Sequence, residues 1–450
     1  AFEVKGKNMR KSYFAAVLLG LALLLPAAAA EPVRVAFIDS GVSTKHLAAE
    51  RVLAGENLIF PARDTDDRVG HGTATAGILL GSAELGIPAL AADALVVPLV
   101  CYDTYPTGVA ARGDAALLAE AIRRAVDVYD CRIVNISMGI AADDPALAAA
   151  VTYAEAKDVL VVSAVGNDYA EAPDTAYFPA AYDSVIGVGA WDGTDVADFS
   201  GRIGVSVVAP GVRIAAVTNR NEAKAALRSG TSYACAYVSG VCADMLAADP
   251  TLTAAGLRAA LYASARDVGE AGFDAASGHG LISVADGFVD VHPGDWFYDS
   301  VQTLAGRGIL SGVSRTVFDP DGEMTRADFL TLLWRACGAP GEGASVWAVQ
   351  AGLCAADTAA QTLASPLMRE DAAVLLWRYA AHLGMDRRRR APADAFADSA
   401  DFSMEAVVPI AWAAAHGILR GRATGLLAPR AALTRAEAAV LLTRLAAAAG

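Results

Sequence analysis

Between Pro32 and about Gly287, short apolar runs alternate with longer segments of helical pattern. "VRVAFI" (33–38), "ALVVPLV" (94–100), "RIVNIS" (132–137), "VLVVSAV" (159–165) and "SVIGVGA" (184–190) are rich in Val and Ile and bounded by Gly, Asn or Asp. Runs of this kind predict strands buried on both faces. Helix-length stretches such as Asp114 to Tyr129 and Pro145 to Lys157 lie between them. Strands and helices in alternation predict an α/β fold, a parallel sheet flanked by helices. Ligands of such sheets bind beyond the carboxyl ends of the strands, where Asp39, Asn135 to Gly139 and Gly166 to Asn167 all fall.

After Gly287 the pattern becomes a repeat. "TRADFLTLLWR" (325–335), "MREDAAVLLWR" (368–378) and "TRAEAAVLLTR" (434–444) align without a gap. Each follows a helical segment closing on Gly308 to Leu310, Gly352 to Leu353 or Gly417 to Leu419. Each unit therefore reads as helix, loop and second helix, with Thr325, Met368 or Thr434 at the N-cap. One such hairpin cannot bury its apolar face alone, so the units should pack on each other. The alternative is a generic helical bundle, which the gapless match disfavours.

Composition sets the outer bounds. At 450 residues the chain exceeds one ordinary core. The net charge of -14 argues against nucleic acid or an anionic membrane as partner. From Met9, "MRKSYFAAVLLGLALLLPAAAAEP" has a basic head, an apolar stretch and small residues before Glu31, the pattern of a secretory signal peptide over residues 9–30. An uncleaved membrane anchor is the alternative; after cleavage no membrane contact is expected. Of the six cysteines, Cys235 and Cys242 stand about 10 Å apart along one helix, too far to bridge. Cys337 with Cys354 is the pairing worth testing, against a default of free thiols.

Three polar residues stand out in this frame. Asp39 ends an apolar strand, where it either caps a turn or holds a partner that offsets the cost of a buried charge. "GHGTATAG" (70–77) sets His71 between two glycines at the start of a small-residue helix, and "SGTSYACAYVSG" (229–240) sets Ser232 at the start of another. Singly, a His is usually structural and a helix-start Ser usually a cap. Together they supply a weak nucleophile, the base it needs, and the acid that orients the base. Gly70 and Gly72 keep the backbone open beside the imidazole, and Gly230 allows the sharp turn that presents Ser232.

Residues 32–287 resemble a subtilisin-like serine protease. The chain order Asp, His, Ser is that family's, and no GxSxG elbow is present. The resemblance implies that Asn167, at the end of "VVSAVGND", donates its amide to the oxyanion of the tetrahedral intermediate, with the Ser232 N–H as second donor. It also implies that Ser137, Met138 and Gly139 form one wall of the primary specificity pocket and Ala164, Val165 and Gly166 the other. Tyr177, in "AYFPAAY", stands at the pocket floor, where it either shortens the pocket or rotates outward. Tyr233, Ala236 and Tyr237 depart from the family's helix. The short spacing between leader and first strand leaves no room for the usual propeptide or calcium-ligating arm. No cofactor is required for the chemistry, and no calcium site is assigned.

The C-terminal units resemble S-layer homology (SLH) motifs, an all-α repeat domain. "FVDVHPGDWFYDSV" opens the first at Phe288 and "FADSADFSMEAV" the third at Phe396, while the second is degenerate. The expected organisation is a peptidase domain over 31–287 and repeats at about 288–340, 341–386 and 393–450. In that family the grooves between repeats bind anionic secondary cell wall polysaccharide, which implies roles for Asp290, Arg326, Arg369, Asp398 and Arg435. Each Arg has an intra-repeat salt bridge as its alternative role. The reading is thus a secreted serine endopeptidase of protein or peptide substrates, held at the cell wall or S-layer. Its rivals are an inert surface-layer or polysaccharide-binding protein with a protease-like domain, and an esterase of small acyl groups.

Overall fold

The computed structural model describes residues 31–449 apart from 92, 222, 285–286, 340–342, 356–357, 359, 393–394 and 423–424. The expected leader at 9–30 lies outside the described residues. In chain order the first domain contains β1 (Arg34–Asp39), β2 (Glu56–Asn57), α1 (His71–Leu80), β3 (Leu95–Val100), β4 (Tyr102–Thr104), β5 (Ala110–Arg112), α2 (Ala115–Asp127) and β6 (Ile133–Ile136). It continues with α3 (Pro145–Ala156), β7 (Leu160–Ala164), β8 (Ile186–Trp191), β9 (Val207–Pro210), β10 (Ile214–Ala216), β11 (Ala226–Arg228), α4 (Thr231–Ala248) and α5 (Ala254–Ala263).

The main sheet has seven strands in the order β2-β3-β1-β6-β7-β8-β9, and every pairing in it is parallel. The apolar runs read from the sequence are its strands, and they are buried because both faces are covered. Val35 and Phe37 face α1 and α4. Ala36 and Ile38 face Leu118 and Ile122 of α2 and Leu147 of α3. Asp114 and Asp144 cap these last two helices, each accepting backbone N–H bonds of the first turn.

The strand order turns back on itself at β1, with β3 on one side and β6 on the other. That switch point brings the carboxyl ends of β1, β6 and β7 together, the place where a crevice forms in such sheets. The helix α4 runs against β6, β7, β8 and β9. Its small residues Ala234, Ala236, Ser239, Gly240 and Ala243 are buried and allow that close approach.

The second domain contains α6 (Tyr298–Gly306), α7 (Arg326–Ala336), α8 (Ala344–Gln350), α9 (Ala360–Ala364), α10 (Arg369–His382), α11 (Val407–Ala415) and α12 (Arg435–Ala449). Its units share one core, to which Phe329, Leu375 and Leu441 each contribute. They are also joined by a closed ring of backbone bonds: Met324 N–H to Leu433 C=O (2.8 Å), Leu433 N–H to Leu367 C=O (2.7 Å) and Leu367 N–H to Met324 C=O (2.7 Å). Thr325 caps α7 through the Asp328 N–H, and Thr434 with Glu437 forms a reciprocal capping box on α12. Met368 offers no side-chain cap to α10.

The two domains touch through a buried acid. Asp244, near the end of α4, accepts Ser314 Oγ, the Thr316 N–H (2.8 Å) and Thr316 Oγ1 (2.6 Å). Val289 lies within the apolar core of the first domain and Val317 packs against it, so the first repeat is seated on the helix that carries Ser232. All six cysteines are free. Cys337 Sγ meets the Tyr379 hydroxyl at 3.0 Å, and the bridge to Cys354 is not formed.

Among the described residues no helix is long and apolar enough to cross a membrane.

Candidate active site

Asp39 is the last residue of β1 and is completely buried. Its Oδ1 accepts the Ser40 N–H at 2.7 Å and pairs with His71 Nδ1, also at 2.7 Å; Oδ2 accepts Thr75 Oγ1 at 3.1 Å. It therefore fills both roles open to a strand-terminal acid, holding the turn and holding a partner. With Nδ1–H directed at Asp39, the other ring nitrogen of His71 is left as the base.

Two glycines make this approach possible. Gly70, the N-cap of α1, has φ 97°, a left-handed conformation that L side chains rarely adopt. A Cβ on Gly72 would lie 2.2 Å from the Gly41 carbonyl oxygen and 3.2 Å from Asp39 Cβ. Burial disfavours a charged His71 ring, but the charge and hydrogen bond of Asp39, with Asp67 behind it, outweigh that cost and raise its pKa above the ordinary value.

Ser232 is the second residue of α4 and follows Gly230, whose φ of 152° also belongs to glycine. It lines one cleft of about 370 Å³ together with His71 and Asn167. Its hydroxyl donates to the Ser137 carbonyl at 3.1 Å. Attack thus requires a rotation about its Cα–Cβ bond, the kind of tightening expected on forming a substrate complex. Its N–H belongs to the first turn of the helix, where backbone donors have no intrahelical acceptor.

Asn167 is oriented by its neighbour. Its Oδ1 accepts the Thr231 N–H at 2.7 Å and Thr231 Oγ1 at 3.0 Å, which leaves the amide nitrogen as the free donor.

Ser137, Met138, Gly139, Ala164 and Gly166 all line the cleft. Val165 does not, because it packs into an apolar cluster with Val205 and Val208. The Ser137 wall is braced from below: Asn135 Nδ2 donates to Ser137 Oγ at 2.9 Å, while Asn135 Oδ1 accepts Ser239 Oγ at 3.0 Å. Tyr177 bridges the two walls. A Cβ on Gly166 would lie 2.4 Å from the Tyr177 ring, and one on Gly139 would lie 3.0 Å from Tyr177 Cβ. The phenol donates to Asp168 Oδ2, a bond that raises the Tyr177 pKa. The ring is turned inward.

Sequence reasoning missed Asp67. This buried acid accepts Ser40 Oγ, the Val69 and Gly70 N–H groups, and both the N–H and hydroxyl of Thr73. It caps α1 and, through Ser40, whose Oγ also accepts the Gly72 N–H, ties the start of that helix to the end of β1. An acid four residues before His71 was the available signal.

The five residues expected to touch polysaccharide are placed differently from one another. Asp290 accepts the Phe318 and Asp319 N–H groups, and Asp398 accepts those of Leu427 and Ala428, so both carboxylates hold turns. Arg326 reaches Asp371 of the second unit at 2.8 Å. Arg369 pairs with Glu437 and donates to the Leu427 carbonyl, both of the third unit. Arg435 donates to the Phe318 and Ser311 carbonyls of the first, each at 2.7 Å. The intra-repeat salt bridges considered for these arginines are not formed; each guanidinium crosses to the next unit.

The model of the Subtilase family matches residues 31–280, more than half of the chain. The chain belongs to that family, and its first domain is that of a serine-type endopeptidase. The S-layer homology domain matches 287–330 and 395–439, the first and third units.

Among curated relatives, a thermophilic serine proteinase of Bacillus sp. (strain AK1) is 34% identical over 214 residues, covering 46% of this chain and 51% of that protein. Subtilisin DY of Bacillus licheniformis is 30% identical over 257 residues, covering 56% of this chain and 89% of that one. The chain thus spans about half of the first relative and most of the second. The solved structure of Sphericase matches 56% of this chain and 91% of its own at 28% identity, with a TM-score of 0.49.

Proposed function

We propose that the protein is a cell-surface serine endopeptidase acting through Asp39, His71 and Ser232. The observation that carries this reading is the buried Asp39 to His71 bond in the cleft that Ser232 and the pinned Asn167 amide share. Ser232 Oγ attacks the scissile carbonyl as His71 Nε2 takes its proton, and Asp39 stabilises the imidazolium. The oxyanion is met by Asn167 Nδ2 and the Ser232 N–H. His71 then protonates the leaving amine, and a water, deprotonated by the same ring, hydrolyses the acyl-enzyme. Extended peptide lies along Ser137 to Gly139, with the residue before the scissile bond directed at Tyr177.

The SLH repeats hold this enzyme at cell wall polysaccharide, which also places it outside the cell. Support comes from a groove lined by Trp296, Arg369, Arg420, Arg422, Glu437 and Arg444, where the exposed Arg420 and Arg422 suit binding of anionic sugars.

Hydrolysis of casein and short peptides, abolished by Ser232→Ala, is the expected result. Turnover of esters without any peptide would favour an esterase, and wall binding without any hydrolysis would favour an inert surface protein. Sedimentation with purified walls, lost once their secondary polysaccharide is extracted, tests the second half of the reading.

A further inference from the structure

The cleft contains a cation that the chemistry above does not use. Arg112 ends β5 and lines the same cleft as His71 and Ser232. It is exposed, and among the described residues its guanidinium meets no carboxylate within ion-pair distance. It is not loose either. The group lies over the Tyr102 ring, 4.8 Å from the centroid, an arrangement that favours a cation on the aromatic face.

The acids closest to it along the chain, and Asp168 in the same cleft, which accepts the Tyr177 hydroxyl, have other partners. Asp103, the middle residue of β4, is held by Arg63, Asn57 and the Thr104 N–H. Asp114 caps α2 through the Leu117 N–H. Arg112 thus stands in the cleft as an oriented positive charge with no ion-pair partner among the described residues, in a chain of net charge -14.

A peptide held in this cleft for attack by Ser232 passes beside that charge. We infer that Arg112 is a specificity-determining residue that selects an Asp or Glu side chain among the few residues flanking the scissile bond. The inference rests on the proteolytic reading above.

The test compares kcat/KM for peptide pairs that differ only by Glu or Gln at each of those positions, using the full chain at low and high salt. At one position the wild type should favour Glu by about 5-fold, the scale of a partly exposed ion pair, and salt should shrink the ratio. Arg112→Lys should retain most of that ratio, Arg112→Gln should bring it to about one, and Arg112→Glu should invert it. Because each variant is judged by a ratio between two peptides, a general loss of turnover does not imitate the result. Equal turnover of Glu and Gln peptides by the wild type, or an unchanged ratio in Arg112→Gln, overturns the inference while leaving the protease intact. Failure to cleave any peptide of either set would instead remove the proteolytic reading, and this inference with it.

Discussion

Tyr177 offers the sharpest prediction about selectivity. Its ring spans the walls built by Gly139 and Gly166, so the slot for the residue before the scissile bond is already partly filled by protein. Tyr177→Ala should vacate a volume close to that of the ring. A substrate Phe entering that space would bury roughly 100 Å² of apolar surface, which at about 25 cal/mol per Å² gives about 2.5 kcal/mol, or roughly 70-fold in kcat/KM. The assay is turnover of a peptide series differing only in Ala, Leu or Phe before the cut. The wild type should favour Ala, the variant should gain chiefly on Phe, and Tyr177→Phe, which keeps the ring and loses only the bond to Asp168, should resemble the wild type. Efficient cleavage after Phe by the wild type would refute the reasoning, as would a Phe to Ala ratio unmoved by Tyr177→Ala.

Other outcomes follow from the same geometry. Asn167→Ala should lower kcat on the order of 100 to 1,000-fold with little change in KM, measured on one good peptide, because only the oxyanion loses a donor. The kcat/KM profile should fall as pH drops through a value above the ordinary histidine pKa, since His71 must be neutral to act and Asp39 raises its pKa; in Asp39→Asn the surviving activity should titrate at lower pH. A second histidine governs stability. His46 Nδ1 faces Glu84 Oε2 at 3.0 Å and Nε2 faces the Arg220 carbonyl at 2.8 Å. Both partners are acceptors, so both bonds are made together only when the ring is doubly protonated, and the Glu84 and Arg220 bonds raise its pKa. A raised folded pKa means extra stability below the unfolded value that is lost as pH rises through the folded one. Urea midpoints should therefore decline across that range, and His46→Gln should flatten the decline.

Much of this was legible in the chain because the signals are local. Continuous Val and Ile runs between breakers marked β1, β3, β6, β7 and β8, and Asp114 and Pro145 marked the starts of α2 and α3. Asp39, His71 and Ser232 each sit at the end of a strand or the start of a helix, where the sequence pattern shows directly that backbone is open. What escaped depends on contacts distant along the chain. Asp67 looks like any loop acid until its donors converge. The hairpin of β4 and β5 is too short for a periodic signal, so nothing placed Arg112 in the cleft. The direction of the Tyr177 ring follows from the absence of a Cβ at Gly166, which no pattern near Tyr177 reveals. In the repeats the shared Arg suggested either a ligand contact or a bridge to its own acid. The backbone ring through Met324, Leu367 and Leu433 instead sets the units so that each arginine faces the next one.

The central claim is that Ser232 is a nucleophile activated by the Asp39 and His71 pair, and labelling of the folded full chain by a fluorophosphonate tests it most directly. Mass spectrometry should find the adduct on Ser232, with labelling absent in Ser232→Ala and at least about 100-fold slower in His71→Ala, the scale of losing a general base. A folded protein that takes up no label, or takes it up equally fast without His71, would contradict the account.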